Sequence, residues 1–198
     1  MPSAISTTSY KNANLNSRQF EARIAEIRGD GMLSDQGKLG ELQAEYDRAA
    51  AVAAQIEEDR VQQTNSRRTT LEQARLALRP GEAANSSTVI AFRDSQDRAD
   101  ALKDQPEALR ALDRAERSGD SLQARAILAA AFEPERLWAD VVNAYEAKHP
   151  EAVADLEELW DITLEDGPTG RVASSEMMRL LTQPTSIRKP AELGGGLL

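Results

Sequence analysis

Residues 38–79 read KLGELQAEYDRAAAVAAQIEEDRVQQTNSRRTTLEQARLALR, a run of 42 with no proline and a single glycine, Gly40. Ala, Leu, Arg, Glu and Gln dominate it, and these are the strongest helix formers. A continuous helix of that length reaches about 60 Å at the usual rise per residue. Leu39, Leu42, Tyr46, Ala49, Ala53 and Ile56 follow a 3-4 spacing, the seam of a helical pair or coiled coil. These six residues are the candidate self-association surface, and they predict a homo-oligomer. The seam falters at Arg60, Gln63 and Arg67 and resumes at Leu71, Ala74 and Leu78. Charge divides at the same place: residues 41–59 carry a balance of −5 and residues 60–79 a balance of +4. A helix so polarised suits antiparallel pairing, with a copy of itself or with another segment.

Upstream, residues 1–16 are rich in Ser, Thr and Asn and read as a mobile arm. A first helix is expected over about 17–28, with Phe20, Ile24 and Ile27 on one face. Asn16 and Gln19 resemble a capping box at its start, and Gly29-Asp30-Gly31 is expected to end it through a left-handed glycine. Ser34 then Asp35 open the long helix. Downstream, Pro80-Gly81 breaks it and 81–87 reads as a linker. Short helices follow over about 88–104, from Pro106 to Gly119, and over 124–132, the last apolar nearly all round and therefore buried. Pro134 and Pro150 are expected at the first turns of two more, reaching about Lys148 and Trp160. A weaker helix is expected over 174–181, and 182–198, with Gly194-Gly195-Gly196, reads as a disordered tail.

Composition narrows the function. The chain of 198 residues has 4% aromatic residues, which leaves few bulky groups for a thick core and favours thin helical packing. It has no cysteine and one histidine, His149, so disulfides, thiolate chemistry and multi-histidine metal sites are excluded. No apolar run approaches the roughly 20 residues of a membrane span, and the first residues lack the apolar centre of a secretory signal. A cytoplasmic protein with no membrane partner is expected. The net charge of −9 argues against general nucleic-acid binding, which needs surplus Lys and Arg.

That charge is concentrated. Residues 133–166 hold eleven acids against Arg136 and Lys148, a balance of −9 that equals the whole chain's. Asp140, Glu146, Glu151, Asp155, Glu157, Glu158 and Asp161 are the candidate residues for a basic protein partner. The segment also holds both tryptophans, Trp138 and Trp160. Their near-helical spacing with Tyr145 suits core packing, an aromatic-anchored interface being the alternative.

Other motifs carry little. Glu157-Glu158 and Glu165-Asp166 lack the ligand spacing and central glycine of a calcium loop, so no metal site is expected. Arg67-Arg68 has no interleaved aromatics to stack on bases. His149, before Pro150, suits a charge at a helix end rather than catalysis. No catalytic or cofactor-binding residue is identified, and the chain is read as non-enzymatic.

The run Ile24-Ala25-Glu26-Ile27, then Leu33-Ser34-Asp35-Gln36-Gly37-Lys38, resembles small helical virion structural and assembly proteins of tailed phages. The Ala/Arg/Asp-heavy composition is similar to that of actinobacterial proteins and their phages. The acidic helical layout, with a surplus of +2 over 167–198, resembles phage scaffolding proteins, although those usually end in a basic helical hairpin. The resemblance covers about residues 17–60. It implies a host-cytoplasmic or virion-associated assembly component.

The expectation is therefore an all-α chain: an arm (1–16), a helical hairpin with a long helix (17–80), a linker (81–87), an acidic bundle (88–181) and a tail (182–198). Its expected role is non-enzymatic protein–protein interaction. The alternative is an acidic inhibitor that mimics nucleic acid and blocks a basic site.

Overall fold

A computed structural model describes residues 3–167, and they form eight α-helices and no strand. Two long helices are followed by a bundle of shorter ones, as the sequence predicts. The chain divides into two compact units at Thr64–Asn65. The helix expected over 174–181 and the tail lie outside the described residues.

The first unit holds α1 (Ala4–Gly29) and the N-terminal part of α2 (Asp35–Arg75). α2 is one uninterrupted helix, so the absence of proline is decisive. Phe20, Ile24 and Ile27 of α1 pack with Leu42 and Ala49 of α2, and Tyr46 and Leu33 close over them. At the turn, the Ser34 hydroxyl accepts the Gly37 N–H at 3.1 Å, the N-cap expected of it.

Three expectations for this unit change. The segment 1–16 is not an arm: α1 starts at Ala4, with the Ser3 hydroxyl accepting the Ser6 N–H at 3.2 Å. Buried Ser6, Ser9, Ala13 and Asn16 continue the 3-4 spacing of Phe20, Ile24 and Ile27. Packing outweighs the weak helix propensity of Ser, Thr and Asn. Asn16 consequently caps nothing; it sits mid-helix and its amide donates to the Ala49 carbonyl at 2.9 Å. The helix also ends without a left-handed glycine. Its C-cap Asp30 has φ −70°, and the Lys38 ammonium donates to the Arg28 carbonyl at 3.0 Å.

The second unit, Asn65–Gly167, holds the end of α2 and α3 (Pro80–Ala83), α4 (Ser86–Asp100), α5 (Gln105–Ser118), α6 (Ser121–Ala131), α7 (Ala139–Glu146) and α8 (Val153–Asp166). The expected linker 81–87 thus contains the single turn α3 and the start of α4. α6 is the central element, packed against α4, α5 and α7. Its Ala126, Ile127, Leu128 and Ala131 are almost fully buried, in line with a helix apolar all round. Acidic side chains cap two helices, Asp104 accepting from Glu107 N–H and Asp120 from Gln123 N–H, and Gly119 ends α5 at φ 70°, where the sequence predicts its end.

Pro134 and Pro150 do not open helices. Each begins a turn: Arg136 N–H reaches Glu133 O at 2.9 Å, and Ala152 N–H reaches His149 O at 2.9 Å. After the first turn Leu137 takes φ 46°, which carries the chain back so that Trp138 N–H meets Ala131 O at 3.1 Å. α7 and α8 begin only after these reversals. Trp138 is buried with the Arg136 guanidinium 5.0 Å from its ring, and partly buried Trp160 meets Phe132 edge-on at 5.6 Å. The tryptophans belong to the core. α2 stops at Arg75 rather than Arg79, because Leu76 turns into the same core and Leu78 packs against it.

Candidate functional site

The basic half of α2 and the acidic α8 lie in the same unit, and they meet. Arg67 forks onto Glu158, Nε at 2.9 Å and Nη2 at 2.6 Å. Arg68 pairs with Asp166 and donates to the Ile162 carbonyl. Arg75 Nε reaches Asp155 Oδ2 at 2.7 Å and its Nη2 the Glu151 carbonyl at 2.9 Å. The partner of the basic helix half is thus another segment of the same chain. Arg67-Arg68 serves an internal carboxylate pairing, with Glu158 its two-point acceptor. Each pair is 27–40% exposed at both side chains, so singly they contribute under about 1 kcal/mol. Together they fix the face that α8 turns to α2.

This divides the seven candidate partner residues. Asp155 and Glu158 are internal. Asp161 is half-buried and engaged within the chain. Among the described residues, Asp140, Glu146, Glu151 and Glu157 have no Arg or Lys ion-pair partner within 4 Å. Asp140 accepts only from the Gln105 amide, at 2.5 Å. Burial and the neighbouring Glu157 carboxylate both push Glu146 above the usual carboxylate range. Two like charges held near each other are a cost that a nearby cation or protonation of Glu146 offsets.

The six candidate self-association residues lie in the first unit. Leu42 and Ala49 are fully buried against Phe20, Ile24 and Ile27 of α1, and Ala53 is nearly buried. Tyr46 and Ile56 are half-buried, and Leu39 is exposed. At Leu42, Tyr46 and Ala49 the seam read in the sequence packs with α1.

Sequence reasoning missed a pocket of about 300 Å³ in the second unit. It lies between the end of α2, α3, the α5–α6 turn and the α7–α8 connection. Its residues come from five separate segments, which no local pattern brings together. His149 stacks on Tyr145, with centroids 4.1 Å apart and planes 24° apart. His149 Nε2 lies 3.1 Å from Glu116 Oε1 and Nδ1 3.5 Å from Glu151 Oε1. Burial, then the Glu116 charge, raises the Tyr145 hydroxyl above its ordinary pKa. On the far wall Arg125, its side chain 7% exposed, donates to Glu82 at 2.8 and 2.9 Å and to the Ala77 carbonyl at 3.0 Å. The Arg79 N–H and then the Arg125 guanidinium hold the Glu82 carboxyl below the usual range.

Both imidazole nitrogens face carboxylates, and no hydrogen bond joins either of them to the Ser121 hydroxyl that also lines the pocket. A nucleophile–base–orienter chain needs one nitrogen for each neighbour. Among the described residues no group of three His, Asp or Glu side chains could hold a metal ion. None of the described helices is long and apolar enough to cross a membrane. Searches against protein-family models, curated proteins and solved structures find no match to the chain.

Proposed function

We propose that the chain is a non-enzymatic interaction protein that docks a basic protein partner on the outer face of α7 and α8. The observation that carries this is one-sided neutralisation. Three arginines of α2 take up Asp155, Glu158 and Asp166, while among the described residues Asp140, Glu146, Glu151 and Glu157 have no Arg or Lys ion-pair partner within 4 Å. Charge on such a face steers association and fixes register, with affinity coming from the contacts it brings together. The same division favours docking over nucleic-acid mimicry, which calls for an unbroken outward row of carboxylates.

A role in tailed-phage assembly, in the host cytoplasm or the virion, rests on the resemblance of residues 17–60. Self-association through Leu42 and Ala49 requires α1 to leave them, and light scattering on the full chain measures it directly. The test of docking compares wild type and Glu146→Lys/Glu157→Lys as baits in affinity capture from phage-infected cells. A basic protein retained by wild type and lost from the variant, and released from wild type by salt, supports the proposal. Identical proteins on both baits overturn it.

A further inference from the structure

We propose that the pocket beneath the α7–α8 connection receives an arginine side chain of that basic partner. Glu116 and Glu151 accept its guanidinium N–H groups, and Tyr145 forms the aromatic wall. The inference rests on the docking reading above and names the partner's anchoring group.

Size comes first. At about 300 Å³ the pocket lies at the lower end of small-ligand sites. It suits one long side chain better than a nucleotide.

Charge comes next. Two of the three arginines in its walls are committed: Arg75 to Asp155 and the Glu151 carbonyl, Arg125 to Glu82 and the Ala77 carbonyl. Glu116 and Glu151, by contrast, share one imidazole. Glu116 has its side chain only 15% exposed, and its Oε2 has no hydrogen-bond or ion-pair partner. The Tyr145 hydroxyl likewise makes no hydrogen bond among the described residues, while its ring stacks on His149 and packs against the core. A carboxylate only accepts, so the unfilled demand in this pocket is for donors. Guanidinium offers five in a planar fork and packs on aromatic faces, whereas ammonium offers three from a point. Arg79 is the one guanidinium of the pocket without an ion pair, and it is exposed. An anion held there is the rival occupant.

The chain has a single histidine, so its ring protons give one set of signals in an NMR titration of the full protein. The probes are N-acetyl-argininamide, N-acetyl-lysinamide and inorganic phosphate. The expected result is a saturable shift of the His149 signals by argininamide, weaker with lysinamide and absent with phosphate. Glu116→Gln and the exposed Glu151→Gln each weaken argininamide about tenfold, as loss of a charge-pair partner does. Tryptophan fluorescence of both variants confirms that the unit stays folded. Silence with argininamide, equal affinity in wild type and both variants, or a phosphate-driven shift overturns the proposal.

Labelled nona-arginine separates this from the wider reading. Loss of its binding in Glu146→Lys/Glu157→Lys, with argininamide silent, sinks the pocket and keeps the docking face. Argininamide binding with nona-arginine indifferent to those reversals keeps the pocket and sinks the face.

Discussion

Arg125→Met removes the buried guanidinium that ties α6 to the end of α2 and to α3. Its loss leaves the Glu82 carboxylate without its cation and the Ala77 carbonyl without its donor. Breaking a buried ion pair from one side costs ~3–5 kcal/mol. Glu82 keeps the Arg79 N–H and is 29% exposed, so water recovers part of that. The orphaned carbonyl adds ~1 kcal/mol. Methionine retains most of the apolar stem that lies beside Phe92. The net is a loss of about 3 kcal/mol, a fall of about 1.5 M in urea midpoint at an m-value near 2 kcal/mol/M. Both tryptophans lie in this unit, so their fluorescence reports on it. Glu82→Gln alone costs about 1 kcal/mol, and the double variant costs no more than Arg125→Met, because both remove one interaction. The Glu82 carboxyl sits below its ordinary range when folded, so its contribution is present above the unfolded pKa and is lost as pH falls through the folded one. The penalty of Arg125→Met therefore shrinks below about pH 4. A loss under ~1 kcal/mol at pH 7, or additive single effects, refutes the reasoning.

Three further changes test other parts of the structure. Glu146→Gln stabilises the second unit by under ~1 kcal/mol at pH 7. The folded carboxyl is raised, so its charged form is a burden above the folded pKa and the gain disappears on acidification; urea midpoints at pH 7 and pH 4 check this. Gly119→Ala costs about 1 kcal/mol although nothing lies within 4 Å of the added carbon, because φ 70° alone is unfavourable for alanine. Leu137→Ile conserves volume yet costs about 2 kcal/mol, since a β-branched residue at φ 46° is strained, and thermal unfolding reads the difference.

What the sequence made legible follows its chemistry. The proline-free run in α2, the Ser34 cap and the glycine after α5 are local signals, and each appears where read, whereas Asp104, read as the end of one helix, caps the next. The first half of α1 escaped because its buried stripe is Ser6, Ser9, Ala13 and Asn16. Hydrophobicity does not mark such residues, although their spacing does continue that of Phe20. The prolines at 134 and 150 were ambiguous between first turn and reversal, and only the packing of Trp138 and Ala152 decides. For the site, the split charge of α2 was legible as a tendency to pair, but residues 133–166 were read as a surface for an outside partner and not as the segment α2 meets. Which acids it consumes depends on the helical phase of Asp155, Glu158 and Asp166 across α8. The pocket was not legible, because Glu116 and His149 are 33 residues apart and joined only by the fold.

The central claim is that Glu146 and Glu157 belong to a docking face and are not merely part of a net negative charge. Fluorescence anisotropy with labelled nona-arginine at fixed ionic strength tests it, with wild type, Glu146→Lys/Glu157→Lys, and Glu41→Lys/Asp47→Lys. The two variants change the charge equally, and all four positions are acidic, the latter pair being exposed on α2. The account predicts at least about tenfold weaker binding for the first variant and wild-type affinity, within about twofold, for the second. Equal weakening in both contradicts it.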